Sequence, residues 1–196
     1  MVFYPADAGF RPPRERQEEK ALYEKGERVV YGSAGACQVE DVVPRCLDGR
    51  GKERLCYILR PLYSDYSITV PVDSDKVFMR PVMSRGEAER LIDTIPGIRA
   101  TAYHNRVLRQ LTEHYEEYLK THDCADLLEL TMSIYAKKQA AEQQKRKFGA
   151  VDERFMKRAE DLLFGELAAA LDIPRDEVSS YIEHRLQAAG KDRSAT

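Results

Sequence analysis

The hydrophobic pattern of the chain changes its period once, at Ser84, and this change limits the possible folds more than any other feature. Before Ser84, short runs rich in β-branched and aromatic residues alternate with turn residues, as in RVVYG, GACQVEDVV, RLCYILRPL, SITVPV and KVFMRPV. Such runs are typical of strands. Five short strands in close succession predict a small, bent antiparallel barrel, because a flat sheet of that size would expose its edges and one face.

Beyond Ser84 the apolar residues follow a helical period. Ser84 and Glu87 have the S-x-x-E form of a capping box, which predicts the start of a helix, and Pro96 followed by Gly97 ends it. Further helices are predicted from Tyr103 to about Lys120, from Ala125 to about Lys147, from Asp152 to Leu171, and from near Pro174 onward.

These patterns predict an α+β fold in two domains, a small antiparallel β-barrel followed by an all-α domain of four or five helices. Asp48 and Gly49 predict a hairpin turn between two of the strands. The predicted segments are a mobile N-terminal extension over 1–22, the barrel over 23–82, the helical domain over 83–190, and a disordered tail over 191–196.

The composition is that of a folded protein. Of 196 residues, 43% are hydrophobic and 33% are charged, and the formal net charge is -2. A disordered chain would have fewer apolar residues and a larger net charge. No apolar run approaches the roughly 18 residues of a membrane-spanning helix, and the N-terminus lacks the apolar core of a secretory signal. We therefore expect a soluble, cytoplasmic protein with no membrane partner.

The four cysteines, Cys37, Cys46, Cys56 and Cys124, include no CxxC pair and have no regular metal-ligand spacing. In a reducing compartment we interpret them as small buried hydrophobic residues. The sequence therefore predicts no metal site and no other cofactor.

The stretch VVYGSAGACQVEDVV places two glycines and a serine between apolar runs. A phosphate-binding P-loop needs Lys-Ser/Thr after its second glycine, and a dinucleotide fingerprint opens a helix, whereas here a strand follows. The spacing also differs from the G-x-S-x-G of a nucleophile elbow. We interpret Gly32 to Gly35 as a structural turn in which glycine permits a positive φ angle.

The triplet His122-Asp123-Cys124 contains the residue types of a base, an acid and a nucleophile. Adjacent residues project in different directions, whereas a working triad is gathered from distant segments. The favoured interpretation is an inter-helix loop in which Asp123 caps the next helix. The carboxylates near Asp152 alternate with cations in the pattern of a solvated helix. The sequence therefore predicts a protein that is not an enzyme.

Two groups of closely spaced cations lie in the second half of the chain. Two clusters follow each other at helical spacing, Lys137, Lys138, Lys145, Arg146 and Lys147, then Arg154, Lys157 and Arg158. A charge run is usually only a solvated face, and a DNA-binding surface is the alternative. With a near-neutral net charge, such binding would come from a local patch and would weaken steeply with salt.

Several separated motifs together resemble one family. GERVVYGSAGACQVEDVV, YILRPLYSDYSITVPVD and RPVMSRGEAERLID are similar to the N-terminal domain of the CarD/CdnL bacterial transcription factors, which the transcription-repair coupling factor shares. VDERFMKRAEDLLFGELAAAL resembles the late helix of that family. The resemblance covers about 24–187 and implies a Tudor-like (SH3-like) barrel that interacts with RNA polymerase, followed by a helical DNA-binding domain.

The resemblance implies that the barrel binds the β subunit of bacterial RNA polymerase. The strand in SITVPV is the predicted free edge, where another sheet can add by main-chain hydrogen bonds. Thr69 stands where relatives carry a basic contact residue. The predicted polymerase-binding residues are Arg45, Tyr66, Ile68, Thr69, Val70 and Pro71.

The resemblance also implies that the helical domain contacts promoter DNA at the upstream edge of the melted bubble. Many relatives insert a tryptophan there, but this chain contains no tryptophan, and Tyr103 and Leu108 are the candidate substitutes. An apolar wedge of this kind compensates for lost base stacking. The predicted DNA-binding residues are Tyr103, Arg106, Leu108, Arg109, Lys137, Lys138, Lys145, Arg146, Lys147, Arg154, Lys157 and Arg158.

Three hypotheses follow from the sequence. The first is a monomeric regulator that binds polymerase and DNA and modulates open-complex stability. The second is a polymerase-binding adaptor whose helical domain contacts another protein rather than DNA. The third is a small enzyme built around His122 and Cys124.

Overall fold

A computed structural model describes residues 23–46 and 53–194. The predicted N-terminal extension and the turn at Asp48-Gly49 lie outside the described residues. The described part contains five strands, which pair antiparallel in the order β4-β3-β2-β1-β5. The strands are β1 Arg28–Tyr31, β2 Gly35–Cys46, β3 Glu53–Pro61, β4 Ile68–Pro71 and β5 Met79–Pro81.

Strands β1 and β2 form a hairpin around the short 3-10 turn Gly32–Ala34. Gly32 and Gly35 have φ angles of 43° and 73°, in the left-handed region that favours glycine. A Cβ atom on Gly32 would also lie 2.5 Å from Cγ1 of Val77. The interpretation of these glycines as a structural turn is confirmed.

Five α-helices follow the sheet in the described residues, which confirms the predicted α+β class. They are α1 Arg85–Thr94, α2 Leu108–Lys120, α3 Cys124–Gln143, α4 Ala150–Leu171 and α5 Val178–Ser194. The capping box at Ser84 is confirmed, because the Ser84 hydroxyl accepts from the Glu87 amide and the Glu87 carboxylate accepts from the Ser84 amide.

Helix α2 begins later than predicted, at Leu108 rather than Tyr103. The side chain of Asn105 explains the delay: its Oδ1 accepts from the Val107 amide at 2.8 Å, and its Nδ2 donates to Gln110 Oε1 at 2.9 Å. Such local side-chain bonds offer the backbone an alternative to the helix.

Helix α3 ends earlier than predicted, at Gln143 rather than about Lys147. Lys145 takes a left-handed φ of 53°, its amide donates to Glu142 O, and the Arg146 amide donates to Ala141 O. This pair of bonds is a Schellman motif, in which glycine usually occupies the left-handed position. Lys145, Arg146 and Lys147 therefore lie in the loop between α3 and α4.

The helices pack around one apolar core that includes Tyr115, Ile134, Leu163 and Leu167, each almost fully buried. Asp152 is also buried, at 4% exposure, where the sequence predicted a solvated carboxylate. It was mispredicted because its neighbours in sequence have the pattern of a solvated helix face, whereas in space it is covered by other helices and accepts from Tyr115 and Lys137.

The sheet packs on the C-terminal half of α4. Gly35 approaches Leu162, the Tyr63 hydroxyl donates to Gly165 O at 3.2 Å, and Arg28 donates to Ala169 O at 2.7 Å. Leu162, Gly165 and Ala169 recur at helical spacing, so one stripe of α4 carries these contacts.

A buried ion pair lies at the centre of this junction. Arg80 of β5 binds both carboxylate oxygens of Glu166, and its Nη2 also donates to His122 O at 2.9 Å. Glu166, which is 3% exposed, further accepts from the Met83 amide and from the Cys124 thiol. All four carboxylate contacts come from outside α4, so Glu166 joins the sheet, the start of α3 and the segment before α1.

Candidate interaction surfaces

Strand β4 lies at an edge of the sheet, as predicted, and it pairs with β3. The Val72 amide donates to Leu55 O, so the backbone groups of Val72 point toward β3. In an antiparallel pair, successive residues alternate between facing the partner strand and facing away. The amide and carbonyl of Thr69 therefore face outward, together with the carbonyl of Pro71.

The side chains of β4, and of Tyr66 just before it, lie on different faces of the sheet. Tyr66 and Thr69 are exposed, Ile68 and Pro71 are half-buried, and Val70 is buried at 7% exposure in the sheet core. The side chain of Val70 thus differs from the other predicted contacts, because it stabilises the sheet from inside rather than facing a partner.

Arg45 lies at the same end of the sheet as the C-terminal end of β4. It is exposed and lies opposite Arg54 of β3, whose guanidinium binds both carboxylate oxygens of Asp73, just beyond β4. Two strand spacings separate β2 from β4, about 10 Å. The fold therefore brings Arg45 and the edge strand together as one surface.

A second buried ion pair fixes the positions of three helices relative to one another along the bundle axis. The Asp152 carboxylate of α4 accepts from the Tyr115 hydroxyl of α2 and from Nζ of Lys137 of α3, both at 2.7 Å. Burial, with Asp152 adding to it, raises the pKa of the Tyr115 hydroxyl, so this group stays protonated and donates. Tyr115, Lys137 and Asp152 therefore mark one level of the bundle.

The N-terminus of α2, the C-terminus of α3 and the N-terminus of α4 lie at the same end of the bundle. The short connections 121–123 and 144–149 make α2, α3 and α4 successively antiparallel. At 1.5 Å per residue, Leu108 is about 10 Å along α2 from Tyr115, and Gln143 is about 9 Å along α3 from Lys137. We call this end of the bundle the basic end, because it carries the exposed residues Arg106, Arg109, Lys145, Arg146 and Lys147.

The two candidate wedge residues have different environments. The Tyr103 ring stacks on His114 with centroids 3.8 Å apart, and its hydroxyl accepts from Asn105. Leu108 is 63% exposed at the start of α2, and its neighbour Val107 is 52% exposed. The exposed apolar tip is therefore Val107 and Leu108, between Arg106 and Arg109. The sequence analysis missed Val107, although its place between two candidate residues was a usable signal.

Lys137 and Lys138 do not join the basic end. The Lys137 side chain is 14% exposed and paired with Asp152, so it faces the helical core. Lys138 is half-buried, and its charge opposes the rise that burial causes in the pKa of Glu160. Helical spacing alone predicted an outward row of cations, but α3 is covered on that side by α4.

Arg154, Lys157 and Arg158 are exposed on α4 and line a separate cleft beside the sheet. The cleft also includes Ser33, from the turn between β1 and β2, and Leu162. These three predicted DNA contacts are therefore gathered with residues of the sheet rather than with the tip at Leu108.

The triplet His122-Asp123-Cys124 has three separate structural roles. The His122 ring stacks on Phe78, Asp123 Oδ1 accepts from the Ala125 amide as the cap of α3, and the Cys124 thiol donates to Glu166. Burial, followed by the neighbouring carboxylate, raises the pKa of the Cys124 thiol, which keeps it protonated. The capping role predicted for Asp123 is confirmed.

The remaining site predictions concern cysteines and metals. Cys37, Cys56 and Cys124 are buried as predicted, but Cys46 is exposed near the end of β2. Among the residues that the structure describes, no group of three or more His, Cys, Asp or Glu side chains is placed to hold a metal ion. Within the same ranges, no helix combines the length and apolarity needed to cross a bilayer.

A comparison with protein families gives a match over the sheet. Residues 23–83 match the CarD-like/TRCF RID domain, an RNA polymerase-interacting domain that is a protein-interaction module rather than a catalytic one. The matched segment contains all five described strands and ends immediately before Ser84, the cap of α1. The resemblance of the N-terminal part is confirmed at this level, and the resemblance of the helical part stays a prediction.

Proposed function

We propose that this protein is a monomeric, cytoplasmic regulator of transcription initiation, which binds the β subunit of bacterial RNA polymerase through β4 and promoter DNA through the basic end. One observation carries the proposal: the segment that matches a polymerase-interacting domain forms a sheet in which β4 is an edge strand. An open edge of this kind is a dock for a strand of another protein.

The edge supplies main-chain groups for such a strand. Thr69 presents one outward amide and one outward carbonyl, whereas Pro71 has no amide hydrogen and its carbonyl already accepts from the Ser74 amide at 3.0 Å. The exposed Tyr66 ring lies at one end of β4 and Arg45 near the other. The main-chain groups would supply affinity, and these two side chains would select the partner.

The basic end has the parts that a DNA wedge requires. Val107 and Leu108 form an exposed apolar tip with an arginine on each side, and apolar wedges of this type enter between base steps. Arg109 is paired with Glu113 at 2.8 Å, but both side chains are exposed, so a phosphate can compete for the guanidinium. Such phosphate contacts position the protein without reading sequence.

Lys145 supports a functional role for this end. A non-glycine residue in the left-handed region costs about 1 kcal/mol or more, and glycine would fill the same position of a Schellman motif without that cost. A cation held there despite the strain is consistent with selection for charge at the tip of the loop.

The proposed mechanism is differential binding. A protein anchored on polymerase that holds melted promoter DNA more tightly than closed duplex shifts the equilibrium toward the open complex by the difference in affinity. A difference of about 1.4 kcal/mol changes the open-complex population tenfold. Three positively charged residues in the 144–149 loop would place most of that binding under the control of ionic strength.

The polymerase contact is tested by Thr69→Pro. Proline removes the outward amide, while the bonds between β3 and β4 remain, because Thr69 faces away from β3. Ile68, the preceding residue, is already extended, as proline requires. We expect at least about tenfold weaker binding of purified polymerase in biolayer interferometry. The matched control, Thr69→Ala, keeps the amide and should bind like the wild type; equal binding by both variants would contradict docking at this edge.

The DNA contact is tested by fluorescence anisotropy on a forked promoter duplex at two salt concentrations. We expect Leu108→Ala to weaken binding to the fork more than to the closed duplex, because the wedge acts only where stacking is broken. The double change Lys145→Ala/Arg146→Ala should weaken both and reduce the salt dependence. Absence of wild-type binding at low salt would remove the DNA role.

The adaptor hypothesis has one observation in its favour. An apolar groove of about 300 Å³ lies between α1, α3, α4 and α5, and Tyr135 on its rim is 49% exposed. If the forked duplex does not bind while polymerase does, this groove becomes the first place to look for a protein partner.

A further inference from the structure

The cleft between the β1–β2 turn and the outer face of α4 has the size of a small-molecule site. It consists of two adjoining cavities of about 540 and 530 Å³, which share Ser33, Arg154, Arg158 and Leu162. Sites for cofactors and nucleotides typically span about 300–1,000 Å³. The cleft is therefore large enough for one nucleotide and lies between the two parts of the fold.

The charges around the cleft are unbalanced. Lys120 is paired with Glu116 and Arg175 with Asp161, but within residues 23–46 and 53–194 no ion pair involves Arg154, Lys157 or Arg158. These three cations lie within five consecutive residues of one helix, so their side chains extend from neighbouring turns. A group with several negative charges would satisfy them together.

The residue types favour phosphate over other anions. Two guanidinium groups offer planar forks that match phosphate oxygens in a bidentate way, and the lysine adds a point charge. Ser33 and Ser64 place exposed hydroxyl groups on the opposite wall. The turn that lacks a P-loop signature in sequence thus faces three cations in space.

The floor of the cleft is apolar. Leu162 is half-buried on the side nearer α2, and the buried Leu119 and Phe155 lie beneath the cations, with the Arg154 guanidinium 5.1 Å from the centroid of the Phe155 ring. A ligand with a flat, apolar-faced ring can cover this floor while its phosphates reach the arginines, and pockets that combine an apolar lining with few convergent polar groups are typical of such ligands. An inorganic polyphosphate would leave the floor uncovered.

The cleft is separate from the basic end. From Asp152, which marks the common level of the three helices, Arg158 lies about 9 Å along α4 toward its C-terminus. The basic end lies in the opposite direction, beyond Ala150. A ligand in the cleft would contact the sheet and α4, whereas DNA at the basic end would contact α2 and the 144–149 loop.

We propose that this cleft binds a nucleoside triphosphate, with the phosphates on Arg154, Lys157 and Arg158 and the base on the apolar floor. The proposal does not depend on DNA binding, since a ligand here leaves the basic end open. Because both walls belong to different parts of the fold, bound nucleotide would stabilise the junction between the sheet and α4 by mass action.

The test is a titration of the full chain with fluorescent N-methylanthraniloyl derivatives of ATP and GTP, with and without Mg²⁺, followed by competition with the unlabelled nucleotides and with inorganic triphosphate. We expect saturable binding of at least one nucleotide with a Kd below about 1 mM, and at least about tenfold weaker competition by inorganic triphosphate. Equal competition by inorganic triphosphate, or no saturable binding by either nucleotide, would overturn the proposal.

The matched variants are Arg154→Ala/Arg158→Ala in the cleft and Lys145→Ala/Arg146→Ala at the basic end. All four side chains are exposed, so both proteins should fold, which circular dichroism checks. We expect the cleft variant to lose nucleotide affinity at least about tenfold and the basic-end variant to keep it within about twofold. A cleft variant that binds nucleotide like the wild type would overturn the proposal.

The forked duplex separates this proposal from the proposed function. We expect the cleft variant to bind forked DNA within about twofold of the wild type, while the basic-end variant does not. If the cleft variant loses DNA binding and no nucleotide binds, the cleft belongs to the DNA surface and the nucleotide proposal is wrong. If DNA does not bind the wild type but nucleotide does, only the proposed DNA role is lost.

Discussion

The two buried ion pairs of this protein have similar chemistry and different positions. Asp152 and Glu166 are both almost fully buried on α4, at 4% and 3% exposure, and each binds a cation from another element. Lys137 joins Asp152 within the helical bundle. Arg80 joins Glu166 across the boundary between the sheet and the helices, and the Met83 amide and Cys124 thiol donate to the same carboxylate.

The two pairs differ in how freely the cation can move when its carboxylate is removed. A lysine is a point charge on a flexible stem, which can extend toward water, whereas a planar guanidinium engaged by two carboxylate oxygens and a carbonyl is held in one orientation. The pair inside the bundle therefore sets the heights of helices that already share an apolar core. The pair at the junction sets the orientation of two parts that have separate cores.

The largest expected effect is that of Glu166→Ala. The change leaves Arg80, the Met83 amide and the Cys124 thiol without their acceptor in a buried place, which costs about 3–5 kcal/mol of unfolding free energy. Urea denaturation measures the loss. The control is Arg28→Ala, which removes a more exposed contact across the same junction and should cost about 1 kcal/mol or less. Similar losses in both variants would contradict a special role for Glu166.

Asp152→Ala should cost somewhat less, about 2–4 kcal/mol, because Lys137 can partly reach solvent after losing its partner. Urea denaturation again supplies the number. The double change Lys137→Met/Asp152→Leu should recover part of the loss, since two apolar side chains replace two buried charges while the Tyr115 hydroxyl stays without its acceptor. If the double variant has the same unfolding free energy as Asp152→Ala, the ion pair stabilises the bundle in a way that apolar side chains cannot replace.

Tyr115→Phe isolates the neutral donor of the bundle pair. Asp152 keeps Lys137 but loses the Tyr115 hydroxyl, so we expect a loss of about 1 kcal/mol in the unfolding free energy. Tyr135→Phe is the control, because Tyr135 is 49% exposed and should change stability by less than about 0.5 kcal/mol. A loss from Tyr115→Phe as large as that from Asp152→Ala would show that the hydroxyl, rather than the lysine, is the main partner.

The smallest expected effect is a pH dependence at the junction. Partial burial and the nearby Arg80 lower the pKa of His122, which stacks on Phe78. Between that lowered pKa and the usual value of about 6.5, the unfolded chain binds more protons than the folded chain, so stability falls as the pH decreases through this window.

The variant His122→Asn removes this titration and suits the left-handed backbone at that position, where φ is 54°. We expect the difference in Tm between about pH 7.5 and pH 5.5 to be smaller in the variant than in the wild type. An unchanged difference would assign the acid sensitivity of the junction to other groups.

Local signals in the sequence predicted the parts of the fold that local chemistry determines. The capping box at Ser84, the cap at Asp123 and the strand in SITVPV each depend on residues within a few positions of one another. The predicted start of α2 and the predicted end of α3 were wrong by several residues. The Asn105 side chain accepts from the Val107 amide, and Lys145 has a positive φ angle, and neither feature affects the hydrophobic period.

The candidate site required the tertiary structure. Tyr103 and Leu108 are equally plausible wedges in sequence, and only the stacking of Tyr103 on His114 separates them. The sequence does not distinguish Lys137 from the exposed cations, and only the structure shows that it is paired with the buried Asp152. The cleft beside Arg158 is formed by segments far apart in the chain, so no spacing rule could have indicated it.

The open edge of β4 also affects the tendency of the protein to associate with other copies of itself. An unpaired strand can template association with an identical chain, and a long apolar edge is prone to it. Here the outward row within β4 contains a single amide donor, at Thr69, and proline supplies none at the next outward position. Two copies could therefore exchange few bonds along this edge. The scarcity of donors that would make β4 a selective dock in the proposed function would also limit edge-to-edge aggregation.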